Sequence, residues 1–260
     1  MPPNIIMETI MKKFLPLLVL STIFVTICSA DMTRLEVGAG AWKQKPTGYI
    51  SRADGNGVLD LSGTYNSLET ETTEAYAWLL FKHPVPIIPN IRLEYVTITD
   101  SGKTTGKVGG MQIPGSAPTT LDTQEYDIIP YYNLLDNTFW TTIDLGIDAK
   151  VITTKAKVSP LFGFMGYTSQ ETVVTPLVYV RARVEIPMTG LGIESDVKYI
   201  TFNGSTMYDI RAKIDYTFDF AVIEPGVEFG YRTQKLLVDD GLTQVDLDYS
   251  GFYAGVMLRF

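Results

Sequence analysis

The chain has 260 residues, a single cysteine, a single histidine and a formal net charge of −8, with 45% hydrophobic residues. That acidic balance excludes the basic footprint on which nucleic-acid binding depends, so no nucleic acid is expected as a partner. One cysteine excludes an intrachain disulfide, and beyond the first 30 residues no apolar run reaches the length of a membrane-spanning helix.

From Met11 the sequence reads MKKFLPLLVLSTIFVTICSADM: two lysines, an apolar run from Phe14 to Ile27, and small residues at Ser29 and Ala30. This predicts a secretory signal peptide cleaved after Ala30, with residues 1–10 an upstream extension and either Met1 or Met11 the start. Lipidation at Cys28 is the rival reading, but Ile27 stands where a lipoprotein needs a small residue. Removal of residues 1–30 takes away Lys12, Lys13, Glu8 and the cysteine and leaves 19 basic against 28 acidic residues, a net charge of −9. Residues 31–260 show no linker-like composition shift and no internal repeat, and are read as one domain.

That domain alternates apolar and polar residues, segment after segment. Ile143, Leu145, Ile147, Ala149 and Val151 interleave with Asp144, Asp148 and Lys150; Val178, Val180, Ala182 and Val184 interleave with Arg181, Arg183 and Glu185. Tyr208, Ile210, Ala212, Ile214, Tyr216 and Phe218 interleave with Asp209, Arg211, Lys213 and Asp215. Period two with one apolar face and one charged face is a strand signature. The apolar face from Tyr208 to Phe218 is aromatic at its ends, and its ten steps measure roughly 33 Å of strand, or about 25 Å along a membrane normal at a ~40° tilt.

Ten strands are predicted, over about 33–43, 72–82, 91–100, 123–133, 138–152, 172–186, 191–203, 206–219, 223–238 and 242–260; eight or twelve also fit. The stretch 58–65 is either a further strand or a hairpin extension, and the apolar phase shift between Tyr249 and Phe252 predicts a bulge near Ser250 and Gly251. Connections near 82–90, 134–137, 187–190 and Ala221 are short, whereas 46–71, 101–122 and 153–171 read as long outer loops rich in Gly, Ser, Thr and Lys. The connections at 203–205 and 239–241 are short although they fall on the outer side, so the short-turn, long-loop contrast holds for three of five. The expected fold is all-β: a transmembrane antiparallel up-and-down β-barrel.

The final stretch YAGVMLRF resembles the C-terminal signal by which outer-membrane barrels are recognised for assembly, through Tyr253, Gly255, Leu258 and the terminal Phe260. With Trp42 near the start of the mature chain and the turn His-Pro-x-Pro-x-x-Pro-Asn at 83–90, most of the chain also resembles a family of small outer-membrane proteins of Gram-negative bacteria. The resemblance implies a barrel in the outer membrane, with its lipid and the barrel assembly machinery as partners, and brings no activity with it.

Signals for chemistry are sparse. His83 lies in the proline-rich turn, where a structural role fits better than proton transfer. The stretch 53–60 lacks the third oxygen ligand of a calcium loop, and 101–107 lacks the first glycine of a phosphate loop. No catalytic, cofactor or metal residues are expected, and the protein is read as not an enzyme. The candidate functional residues are the inward charges Asp144, Asp148, Arg181, Arg183, Glu185, Arg211 and Lys213. They either fill the lumen as ion pairs, leaving a membrane anchor that presents outer loops, or line a narrow porin-like channel for a small solute or ion.

Overall fold

The computed structural model describes residues 33–53, 60–85, 87–220, 223–239 and 241–260. The predicted leader, most of the 53–60 stretch, Pro86 and the turn at Ala221 lie outside them. The described strands are β1 (Arg34–Arg52), β2 (Leu61–Ser67), β3 (Thr72–Lys82), β4 (Asn90–Val108), β5 (Met111–Thr138), β6 (Thr141–Val158), β7 (Tyr167–Ile186), β8 (Leu191–Phe202), β9 (Ser205–Thr217), β10 (Glu224–Asp239) and β11 (Thr243–Arg259).

All pairings are antiparallel, and β11 pairs with β1 from Glu36↔Arg259 to Arg52↔Thr243, so the sheet closes on itself. The terminal residue seals this seam: the Phe260 amide donates to the Leu35 carbonyl at 2.9 Å, and the Leu35 amide donates back at 3.3 Å. The eleven segments make ten barrel staves, because β2 and β3 both lie between β1 and β4 and are two halves of one stave. Register with β4 runs to Ser67↔Gly102 on β2 and resumes at Tyr76↔Val96 on β3, which places three extra residues in the interruption. The described part of the 58–65 stretch, from Leu61, is therefore in the outer half of a stave, and the barrel is ten-stranded.

At the end that carries the chain terminus, the exterior is an apolar belt. Ile91, Leu93 and Tyr95 on β4 continue through Tyr126, Ile128 and Tyr132 on β5 to Ile143–Val151 on β6, and on to Phe252, Val256 and Leu258 on β11. The Tyr95 and Tyr126 rings meet at a tilt with centres 4.9 Å apart, and Phe229 and Phe252 stack at 5.6 Å, giving the aromatic edge of a transmembrane barrel.

Beyond the belt the staves continue into water as a β-crown. Much of what is expected as long loop is strand among the described residues: β1 runs on to Arg52, β4 and β5 run on to a two-residue turn at Gly109 and Gly110, and β6 and β7 extend to Val158 and from Tyr167. The physical reason is an inversion of phase. Inside the membrane the apolar residues face out; in the crown water lies outside, so the apolar residues face in: Ile98 on β4, Leu121 on β5, Ala156 and Val158 on β6. The outward residues become Thr, Ser and Lys, a composition that reads as loop when faces are not separated.

The same inversion corrects the bulge expected at Ser250 and Gly251. The β10–β11 and β11–β1 registers run through both residues without a shift. Leu247 and Tyr249 point into the crown and Phe252 points to lipid because the surroundings change, not the backbone. Gly251 is needed there for another reason, since a Cβ would collide with the Lys43 carbonyl of the neighbouring stave.

Candidate functional site

Buried charges concentrate in the lumen, and every one of the predicted inward residues lies on its wall. Asp144, Asp148, Arg181, Arg183, Arg211 and Lys213 are buried, whereas Glu185 is a third exposed at the terminal rim. At that rim Arg34 donates to Glu185 at 2.8 Å, and Arg259 approaches Glu36 at 3.4 Å.

One turn deeper, Arg183 holds Asp215 with a fork of two hydrogen bonds, 2.6 and 2.8 Å, and also reaches Glu194 at 3.2 Å. The fork has room because Gly192, on the adjacent stave, has no side chain where the guanidinium lies. Arg181 bridges Asp144 and Glu194, both at 2.7 Å, and Arg92 joins Glu94 at 2.5 Å to Glu194 at 3.3 Å. Bidentate pairing of this kind supplies both direction and strength to a buried carboxylate–guanidinium contact.

The network then passes to a second group. Lys198 bonds Glu94 at 2.6 Å and also Asp127; Lys150 contacts Asp127 at 2.7 Å and Asp209 at 3.3 Å; Arg232 contacts Asp209 at 2.6 Å. Charges from opposite sides of the barrel thus meet across the lumen. Asp148 differs from the rest, since both of its carboxylate oxygens are buried without a hydrogen-bond partner among the described residues.

Sequence reasoning missed the aromatic half of this interior. The two faces of β3 are similarly apolar, but Tyr76 and Trp78 point inward, and both donate to Glu228 Oε1, at 2.8 and 2.9 Å. Lys213 takes the other oxygen at 2.8 Å and lies 4.5 Å from the Trp78 ring centre; Arg232 lies 4.9 Å from that of Trp42. Inward glycines were the available signal. Trp78 occupies the space a Cβ of Gly38 would need, and the Tyr76 hydroxyl that of Gly40 and Gly255. Between these aromatics and Arg92, Arg211 and Arg232 remains a small cavity with room for about one or two waters.

Above this layer the crown is closed by an apolar core that includes Ile50, Leu61, Tyr65, Val108, Ile113 and Phe164. Asp100 is its outstanding polar member, 1% exposed and accepting from the Ser67 hydroxyl at 2.8 Å. Burial raises its carboxyl above the usual range, and the Ser67 bond only partly offsets this.

The remaining sequence candidates are structural in their geometry. The Val85 amide donates to His83 Nδ1 at 3.1 Å, which leaves the proton on Nε2 to donate to the Pro89 carbonyl at 3.1 Å. His83 thus staples its turn. Residues 101–107, weighed as a phosphate loop, are strand in β4. Of the assembly-signal residues, Tyr253 faces the lumen, Gly255 clears space for Tyr76, and Leu258 and Phe260 face outward. Among the described residues no group of three or more His, Cys, Asp or Glu could hold a metal ion.

No protein-family model matches this sequence, and no curated protein matches it. In fold the chain is similar to the outer-membrane protease OmpT from Escherichia coli, with a TM-score of 0.49 and 11% identity over 89% of this chain and 97% of that one. It is also similar to Ail, the attachment invasion locus protein of Yersinia pestis (TM-score 0.37, 8% identity, 88% and 99% of the two chains). A third is Neisserial surface protein A (TM-score 0.34, 12% identity, 87% and 97%). Likeness at this level of identity and TM-score carries nothing about function.

Proposed function

We propose that the protein is an integral outer-membrane barrel that does not conduct, and that its role is structural: the membrane-embedded half anchors a rigid β-crown at the cell surface. The observation that carries this reading is the double closure of the lumen. Ion pairs cross it within the belt, a cavity among them has room for only about one or two waters, and an apolar core fills the crown above.

Opening a path would require separating buried charges such as Arg183 and Asp215, and each such separation leaves an uncompensated charge in a low-dielectric interior. The charges therefore serve as a plug that cross-braces staves far apart in sequence, Glu94 to Lys198 for example. The outer-membrane lipid is the solvent of the belt, and the assembly machinery is the expected reader of Tyr253, Gly255, Leu258 and Phe260. No catalytic step is assigned.

Liposome swelling tests the reading. Vesicles containing the refolded mature chain should shrink and stay shrunken in small sugars and amino acids, as empty vesicles do. Swelling at a rate that rises with the amount of protein would favour the narrow channel, with Arg181, Arg183, Arg211, Lys213, Asp144 and Asp148 as its lining.

A further inference from the structure

The outward lysines of the crown fall into two sets. On β1 and β10 each has an acidic neighbour: Lys43 with Glu71 at 2.8 Å, Lys45 with Glu69 at 3.0 Å, Lys235 with Asp246 at 2.8 Å. On β4 and β6, Lys103, Lys107, Lys155 and Lys157 are exposed and have no ion-pair partner among the described residues. The registers Lys103↔Pro118 and Thr120↔Lys157 place these four on one continuous patch of wall. Asp122, exposed and in register with Lys155, lies within this patch without forming an ion pair to it, so four lysines there stand against Asp122, while Asp239, Asp246 and Asp248 lie around the barrel on β10 and β11. The patch is therefore locally basic on an acidic protein.

Immediately above it stands the β6–β7 tip. Leu161 and Phe164 exchange backbone hydrogen bonds at 3.0 and 2.6 Å, with Gly163 at φ 76° making the turn, and Phe164 is anchored in the crown core. Phe162 and Met165, by contrast, are 93% and 88% exposed. The tip is fixed rather than loose: the Tyr167 hydroxyl bonds Asp60, the Gly109 amide donates to the Asp60 carbonyl at 3.2 Å, and the Tyr167 ring covers Gly109. Three crown tips are thereby tied together, and the two apolar side chains are held outward from a rigid platform. A lone surface hydrophobe is ordinary; an aromatic and a methionine held on a braced tip above unpaired lysines are not.

We propose that this tip and its lysines form a docking surface for an anionic lipid bilayer lying opposite the cell surface. Phe162 and Met165 would enter the headgroup boundary and Lys107, Lys155 and Lys157 would meet the lipid phosphates, the division of labour of interfacial membrane anchors. Lipid fits better than a protein for two reasons. Phe162 and Met165 stand almost fully clear of the wall and so are placed to insert instead of to receive a peptide, and the lysines carry no hydrogen-bond partners among the described residues that would orient them toward a fixed acidic group. The protein's own bilayer is out of reach: β6 runs seven residues past Val151, the last belt residue, roughly 23 Å of strand, before the tip begins.

The proposal rests on the crown being extracellular, and its test is independent of that. The mature chain in nanodiscs of neutral phosphatidylcholine is mixed with vesicles of phosphatidylcholine alone or with about 30% phosphatidylserine, and flotation is measured. Wild-type protein should float with the anionic vesicles, not the neutral ones, and lose flotation as salt rises. Lys107→Gln/Lys155→Gln/Lys157→Gln should lower partitioning at least thirty-fold, on the order of fivefold per lysine. Phe162→Ser/Met165→Ser should lower it by roughly tenfold or more at unchanged charge. Equal flotation with both vesicle types, flotation indifferent to both sets of substitutions, or no flotation would overturn the proposal. Capture of a defined protein, lost in the same variants without vesicle binding, would assign the tip to protein recognition instead. Because nanodiscs expose both ends of the barrel, a negative result counts against the docking surface and not against the topology.

Discussion

Replacing Arg183 by methionine should be among the most costly single changes in the barrel. Its guanidinium is 2% exposed and makes a fork to Asp215 at 2.6 and 2.8 Å, with Glu194 at 3.2 Å and Glu185 at 3.1 Å as further partners. Without it Asp215 is a fully buried carboxylate whose nearest remaining cation is Arg259, at 3.9 Å. Glu194 is less affected, since Arg181 and Arg92 still hold it. Breaking one partner of a buried pair costs about 3–5 kcal/mol, whereas an exposed pair is worth at most about 1. Removing both charges with Arg183→Met/Asp215→Leu should return stability to within about 2 kcal/mol of the parent, because an apolar pair of similar volume carries no desolvation penalty. Urea unfolding of refolded protein in lipid vesicles, followed by tryptophan fluorescence, gives the double-mutant cycle, with an expected coupling of at least about 2 kcal/mol. A single-variant cost below about 1 kcal/mol, with no recovery in the double, would mean that water screens the pair, and the closed lumen would be refuted.

Other parts of the account make their own predictions. Glu228→Leu strands the donors of Tyr76, Trp78 and Lys213 together, and a loss of about 3–5 kcal/mol with a shifted tryptophan emission should be seen. Leu61→Ala empties a fully buried site in the crown, and a cost of about 2–5 kcal/mol there should appear as tryptic cleavage at Lys107 while the embedded half stays folded. Because burial raises the Asp100 carboxyl, the folded crown binds more protons than the unfolded one between the two pKa values, so the crown's stability is fullest below the unfolded value and falls as pH rises through the folded one. Hydrogen exchange of β2 and β4 should therefore quicken with rising pH beyond its intrinsic rate, and Asp100→Asn should abolish that excess. Deleting Phe260 removes both the seam bonds to Leu35 and the last residue of the assembly motif; the fraction of chain recovered folded in outer membranes should drop several-fold, and an unchanged yield would remove Phe260 from that role.

Much of the embedded half was legible in sequence because one rule governs it: lipid outside, charge inside, period two. The segment from Tyr208 to Phe218 could be assigned face by face, and Arg181, Arg183, Arg211 and Lys213 could be placed in the lumen before any coordinate was known. The crown was not legible because the rule reverses at the membrane boundary. On β6 the apolar series Ile143 to Val151 faces out and Ala156 and Val158 face in, so a single moving average sees the pattern dissolve into threonine and lysine and reports a loop. At Ser250 the same reversal imitates a bulge. Nor does sequence say which acid meets which base, since Arg92 and Glu194, or Glu94 and Lys198, are brought together only by closure of the barrel.

Closure of the lumen is the claim on which the rest depends, and ion conductance reads it most directly. Single-channel recording of the refolded mature chain in a planar bilayer should show incorporation, verified by recovering folded protein from the bilayer lipid, with a current trace indistinguishable from lipid alone at molar salt. Steady steps that scale with salt concentration and change with Arg181→Ala or Arg183→Ala would contradict it and make the buried charges the selectivity device of a pore.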